Sequence, residues 1–189
     1  MDKPYDYDKR RFENDDAIVR NNQMVRDFLR SDSDILVKMD IDQKYPQNYL
    51  TALVPLVEEY KVVGPLIYNK WRESGYPPLL CEKNEYPIIR GLRNWFLFAD
   101  ENGILKIPFA HTNLLYAREV LEKVKPPWYE VKYRKDNCNH SANRDFSFIE
   151  KINAVGYMTH INLKVEVGHL VEEAVDTKTH ERWTGIMRR

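Results

Sequence analysis

Apolar positions recur along this chain with two different periods. Ala17, Ile18, Met24, Val25, Phe28 and Leu29 fall at helical spacing, and Asn14, Asp15 or Asp16 can cap the start, so an amphipathic helix is predicted over 15–30. The next apolar run, Ile35-Leu-Val-Lys-Met-Asp-Ile-Asp42, has strand length and ends in two aspartates one residue apart. A second helix is predicted over 46–60, with Pro46 in its first turn, Leu50, Leu53, Val54 and Val57 on its core face, and a kink at Pro55. Residues 62–68 then read as a buried strand broken at Gly64-Pro65. Strand, helix, strand is the order of an α/β protein.

The second half is less regular. Residues 69–93 are polar and hold Gly75, Pro77, Pro78, Pro87 and Gly91, the signature of a long surface excursion; connections of that length are usually functional or mobile. Trp95–Phe98 and Ile104–Ile107 flank Ala99-Asp-Glu-Asn-Gly103, which has hairpin turn chemistry. A strand is expected over 110–116, a short helix over 117–124 and a loop over 125–141. Phe146, Phe148, Ile149 and Ile152 mark a helix over 143–155 that Gly156 stops, and 157–170 alternates as one or two strands ending at Gly168-His169. The pattern assigns 1–170 to a single domain and 171–189 to a charged tail, without internal repeats.

Composition narrows the function classes. With 43% hydrophobic and 12% aromatic residues, 189 residues suffice for a real core. Lys and Arg total 29 and Asp and Glu total 29, so no net field draws the chain to nucleic acid or to an anionic membrane; any anion must be met locally. No apolar run approaches the length of a membrane span, and the charged start does not resemble a secretory signal, which makes a cytoplasmic location the expectation. Cys81 and Cys138 have neither metal spacing nor a disulfide framework and read as reduced thiols.

The acids ending the first strand carry the chemistry. Strand alternation would point Asp40 and Asp42 the same way, at the lip of a sheet where α/β proteins bind ligands. Carboxylate oxygens suit Mg²⁺ or Mn²⁺, and such ions usually complete their shell with water and a substrate's phosphates. The same pair also reads as a solvated loop or a helix cap.

Further along come Pro126-Pro-Trp-Tyr129, Asn143-Arg-Asp145 opening a helix, Gly156-Tyr157, and Val167-Gly-His-Leu170. With Asp40-Ile-Asp42 ahead of them, this order over roughly 15–170 resembles the GT-A glycosyltransferases, in particular the family 2-like enzymes. The resemblance implies a GT-A-like mixed sheet flanked by helices, with a Rossmann-like half shortened at its N-terminal end. It implies transfer of a sugar from a nucleotide diphosphate, a UDP-sugar favoured, to a hydroxyl of a glycan or other acceptor, with Mn²⁺ or Mg²⁺ as cofactor. By position, Asp42 and His169 would ligate the metal, and Asp40 would touch the donor's ribose or reach the metal through water. Asp145 would be the base of an inverting transfer, and Arg20 would help hold the diphosphate. His111, Thr112 and Asn113 stand where relatives carry a small Gly-rich stretch beside the sugar. Trp128, Tyr129 and Arg144 would face the acceptor, Arg144 replacing the family's usual Glu. Trp71 and Tyr76 are lesser candidates of the same kind.

Relatives also begin with a strand, a helix and another strand ahead of the helix that opens this chain. Their absence leads to the expectation of a shortened member, or of a homo-oligomer or partner chain that completes the nucleotide site. Each residue has a plainer reading: His111 and His169 as structural histidines, Asp145 as a helix-start charge, Trp128 and Tyr129 as core packing. The competing functions are a non-catalytic shortened GT-A domain that acts as a binding or interaction protein, and a phosphohydrolase with Asp40 as nucleophile. Lys44, where the latter class expects Thr or Val, argues against it.

Overall fold

The computed structural model describes residues 16–68, 78–81, 95–133, 140–142, 144–170, 174–175 and 178. Helix α1 spans Ala17–Leu29, and Asp16 caps it by accepting from the amides of Ile18 (2.8 Å) and Val19 (3.4 Å). Strand β1 is only Ile35–Val37, followed by β2 at Gln43–Lys44. Helix α2, Tyr49–Tyr60, tolerates Pro55 in its interior and buries Tyr49, Leu53 and Val57 at i, i+4, i+8. Leu50 and Val54, expected on the same face, are only partly buried.

Strand β3, Val62–Ile67, is buried at every position and runs through Gly64-Pro65 without the expected break. The irregularity falls on its partner. Strand β10, Thr159–Leu170, pairs parallel to β3 as Ile161 with Gly64 and Asn162 with Pro65, then resumes at Glu166 with Leu66. Pro65 has no N–H to give the ladder, so the partner loses its register beside it.

Short strands follow: β4 at Leu80–Cys81, β5 at Ile104–Ile107, β6 at Phe109–Ala110 and β7 at Leu115–Ala117, which leads into α3 at Arg118–Lys123. A small antiparallel pair of β8, Lys132–Tyr133, and β9, His140–Ala142, falls almost wholly in the stretch expected to be loop. Helix α4, Arg144–Ala154, ends near Gly156, which takes a positive φ of 91°. Strand β11, Ala174–Val175, pairs with the end of β10, so the sheet extends into the charged tail.

The main sheet has the order β1-β7-β3-β10-β11, with β2 and β5 also paired to β10. Its β3–β10 pair is parallel and its other pairs are antiparallel, so it is a mixed sheet. Side chains alternate across it. Val62, Leu66 and Tyr68 face one core with Val25, Phe148 and Ile149 of α1 and α4, while Val63 and Ile67 face the other with Leu53 and Val57 of α2. Helices therefore cover both faces, and the protein is α/β.

Two expectations about the middle of the chain change. Trp95–Phe98 is a turn of 3-10 helix, and β5 pairs with β10 instead of forming a hairpin with it. The turn chemistry at 99–103 is nevertheless real: Asp100 Oδ1 accepts from Asn102 N and Ile104 N, and Gly103 has φ 80°. Leu80, inside the expected surface excursion, is 2% exposed in the core. Trp71, Tyr76 and Cys138 lie outside the described residues.

Candidate functional site

The acidic pair does not end a strand. Ladder pairing in β1 stops at Val37, Lys38 N gives one more bond to Leu114 O (3.1 Å), and the chain then turns away from the sheet. Ile41, between the two acids, is 86% exposed, as no buried strand residue would be. Alternation therefore does not set the directions of Asp40 and Asp42. A side-chain chain holds this loop instead: Asp40 N donates to Tyr45 OH (2.7 Å), and Tyr45 OH donates to Gln43 Oε1 (2.8 Å). Gln43 Nε2 then meets His169 Nε2 at 3.4 Å.

His169 is thus brought beside the loop, as expected. It is paired with Gln43 across β2–β10, and Leu170 N bonds Asp42 O at 2.7 Å. Its Nδ1 faces the carbonyl of Tyr68, which only accepts, so Nδ1 carries the proton and Nε2 presents its lone pair toward Gln43.

Residues 111–113 interrupt the strand expected over 110–116, and each reaches a different element. His111 Nε2 donates to Pro65 O on β3 at 2.9 Å. Thr112 Oγ1 donates to Asp145 Oδ1 at 3.0 Å, on the first turn of α4. Asn113 Oδ1 accepts from Lys38 Nζ at 2.6 Å. Tyr116 OH, donating to Thr112 O at 2.8 Å, fixes the middle of this segment. Asp145, which also has Arg144 Nε at 3.8 Å, is thereby linked to the acidic loop through Thr112, Asn113 and Lys38.

Burial sets the electrostatics. Desolvation pushes His111 down to about 4, against the pull of its bond to Pro65 O and with help from the charge of Lys38, so the ring is neutral. For Asp40, burial raises the carboxyl, but the ammonium of Lys38 (2.9 Å) and the side chain of Asn113 more than offset this and leave it below its ordinary value. The phenols of Tyr45 and Tyr49, beside this loop, are raised by burial and stay protonated.

Other expected residues lie elsewhere. Tyr129 is fully buried and packs on Phe148 with ring centroids 4.3 Å apart, so it is core and not an acceptor wall. Trp128 donates to Val124 O and lines a shallow cleft with Ile18, Val19, Arg26 and Pro127. Arg20 is half-buried on α1, whose Asn22 ties the helix to Tyr129 through both backbone groups. Lys38, Gln43 and Tyr45 were not among the sequence candidates. A lone lysine inside an apolar strand run was the available signal for the first.

The donor set fits a divalent ion in part. A protonated Nδ1 bonded to a carbonyl is the arrangement that turns a histidine's Nε2 toward a metal, but here Gln43 Nε2 stands 3.4 Å from that atom, and Asp42 is tied beside it by its backbone carbonyl, which accepts from Leu170 N. Asp40, however, is engaged by Lys38. Among the described residues, no group of three or more His, Cys, Asp or Glu is gathered closely enough to hold a metal. Nor is any described helix long and apolar enough to cross a membrane.

No known protein family matches the chain. No curated protein matches it significantly either. Among solved structures, the crystal structure of A197 from STIV is similar, with a TM-score of 0.59 and 16% identity over 88% of this chain and 74% of that one. At that identity the likeness shows a shared fold and nothing about activity.

Proposed function

We propose that this protein is a glycosyltransferase that moves a sugar from a nucleotide diphosphate, a UDP-sugar favoured, to a hydroxyl acceptor. The observation that supports it is convergence: the Asp40–Asp42 loop, His169 and Asp145 come from three distant parts of the chain and are joined by the bonds of Gln43 and of 111–113. Asp42 and His169 would hold Mn²⁺ or Mg²⁺, which when bound would neutralise charge growing on the departing diphosphate. Asp40, held by Lys38, would face the ribose. Asp145 would take the acceptor's proton, oriented by the hydroxyl of Thr112. A homo-oligomer or partner chain belongs to this proposal, as does a cytoplasmic location.

A second reading, a GT-A-like domain that binds a partner without turnover, is favoured by the engagement of Asp40 with Lys38 and by the missing three-ligand cluster among the described residues. Calorimetric titration with UDP- and GDP-sugars, in Mn²⁺ and then in chelator, separates the two. Transfer predicts Mn²⁺-dependent binding of one donor that Asp42→Ala and His169→Ala weaken, and an Asp145→Asn variant that binds this donor but does not turn over. Absence of donor binding by the folded protein would leave the second reading standing.

A further inference from the structure

Lys38 is buried at the mouth of the site, where its bonds to Asp40 and Asn113 leave part of its ammonium unused. Its side chain is 8% exposed, at the end of the strand Ile35–Val37, and the local pairing uses only its backbone amide. Burying an ammonium is costly, and its carboxylate partner is itself 48% exposed, so the pair is not sealed in the core. An apolar residue would continue the strand without that cost.

An ammonium carries three protons. Two are used, toward Asn113 Oδ1 at 2.6 Å and Asp40 Oδ1 at 2.9 Å. Both acceptors hold Nζ in a fixed place, and the third proton has no partner among the described residues. Nearby lie two more buried polar atoms without partners, Nδ1 of His111 and the hydroxyl of Tyr49. His111 lies close enough to feel the charges of both Lys38 and Asp40, and Tyr49 that of Asp40. The Tyr49 hydroxyl can give a proton to an anion, whereas His111 Nδ1, bare because Nε2 holds the ring proton for Pro65 O, can only accept and would not contact one.

We infer that Lys38 is an anion-binding residue: its charge cancels that of Asp40, and its third proton holds an oxygen of a diphosphate. The inference rests on the reading of this mouth as a nucleotide-diphosphate site and adds the group that grips the phosphates from the protein side. A fixed ammonium suits a phosphate oxygen because it acts as a point charge.

The test uses inorganic pyrophosphate with Mg²⁺, titrated calorimetrically into the full chain. Lys38→Gln should weaken binding at least about tenfold, the scale of one charged hydrogen bond, while Lys38→Arg keeps part of it. The double variant Lys38→Gln with Asp40→Asn, which leaves no unpaired carboxylate, guards against a loss caused by misfolding, and thermal melts accompany each protein. Weaker binding by folded Lys38→Gln or by the folded double variant upholds the inference even where no nucleotide sugar binds and the transferase reading falls. Equal affinity in every Gln variant that folds, or no pyrophosphate binding by the natural chain, overturns it even where a nucleotide sugar binds.

Discussion

One methyl group on the central strand is expected to disturb the core beneath the site. A Cβ added at Gly64 would lie 2.1 Å from Cδ2 of Leu114 and 3.3 Å from Cε1 of His111. Carbon atoms rest about 3.5 Å or more apart, so the Leu114 methyl must retreat by about 1.4 Å. Leu114 is fully buried and has nowhere to go. Gly64 lacks a positive φ, so backbone strain plays no part. Overpacking of this kind costs about 1–3 kcal/mol, which in a chain of this size lowers Tm by about 2–12 °C. Leu114→Ala alone should cost about 2–5 kcal/mol through the cavity it leaves. Together the two changes relieve each other, because the new methyl enters the vacated space, and the double variant should be at least about 1 kcal/mol more stable than the sum predicts. Urea and thermal unfolding of the four proteins measures this. An unchanged Tm for Gly64→Ala, or strict additivity of the pair, would refute the packing argument.

Further outcomes are open to measurement. His111 is held neutral with its pKa pushed down to about 4, so the unfolded chain binds the extra proton first. Stability is full above about pH 6.5 and falls as pH drops toward 4; at pH 5 the loss from this residue is about 2 kcal/mol. His160, lowered by burial and by Lys106, acts in the same direction, so the readout is the difference in urea stability between pH 7 and pH 5 for the natural chain and His111→Gln. Equal differences in the two proteins would contradict the assignment. Arg118 donates to the carbonyls of Phe28, Leu29, Ser31 and Ser33 and stacks 4.8 Å over Phe28, tying the end of α1 to the start of α3. Arg118→Met should cost about 2 kcal/mol and speed amide exchange in the last turn of α1, and unaltered exchange there would show that the carbonyls are satisfied otherwise. If Asp145 is the base, Thr112→Val should lower kcat about tenfold and leave KM for the donor unchanged; a change confined to KM would place Thr112 in donor binding instead.

Periodicity alone made α1, α2, α4 and the strand, helix, strand order legible, because each has an apolar face with a single partner surface. Asp16 as a cap, Gly156 as a stop and Asp100 with Gly103 as a turn were readable for the same local reason. The stretch from 110 to 116 misled, since its apolar residues serve two strands in different pairings, with 111–113 between them making side-chain bonds that no period records.

The residue types of the site were likewise present in the sequence: two acids one residue apart, a helix-start Asp145, a late His169 and the run His111-Thr-Asn113. Their arrangement was decided in three dimensions. Asp40 and Asp42 owe their positions to Tyr45, Gln43 and Lys38 and not to strand alternation, and Tyr129 became core because Phe148 of α4 packs against its ring. The sequence by itself set which segments are helical, which are extended and which chemistries are available, since these depend on neighbours a few residues apart. Only the tertiary structure set which strand pairs with which and which polar groups share a mouth. Those depend on contacts such as Lys38 with Asn113 or Gln43 with His169, formed across 75 and 126 residues of chain.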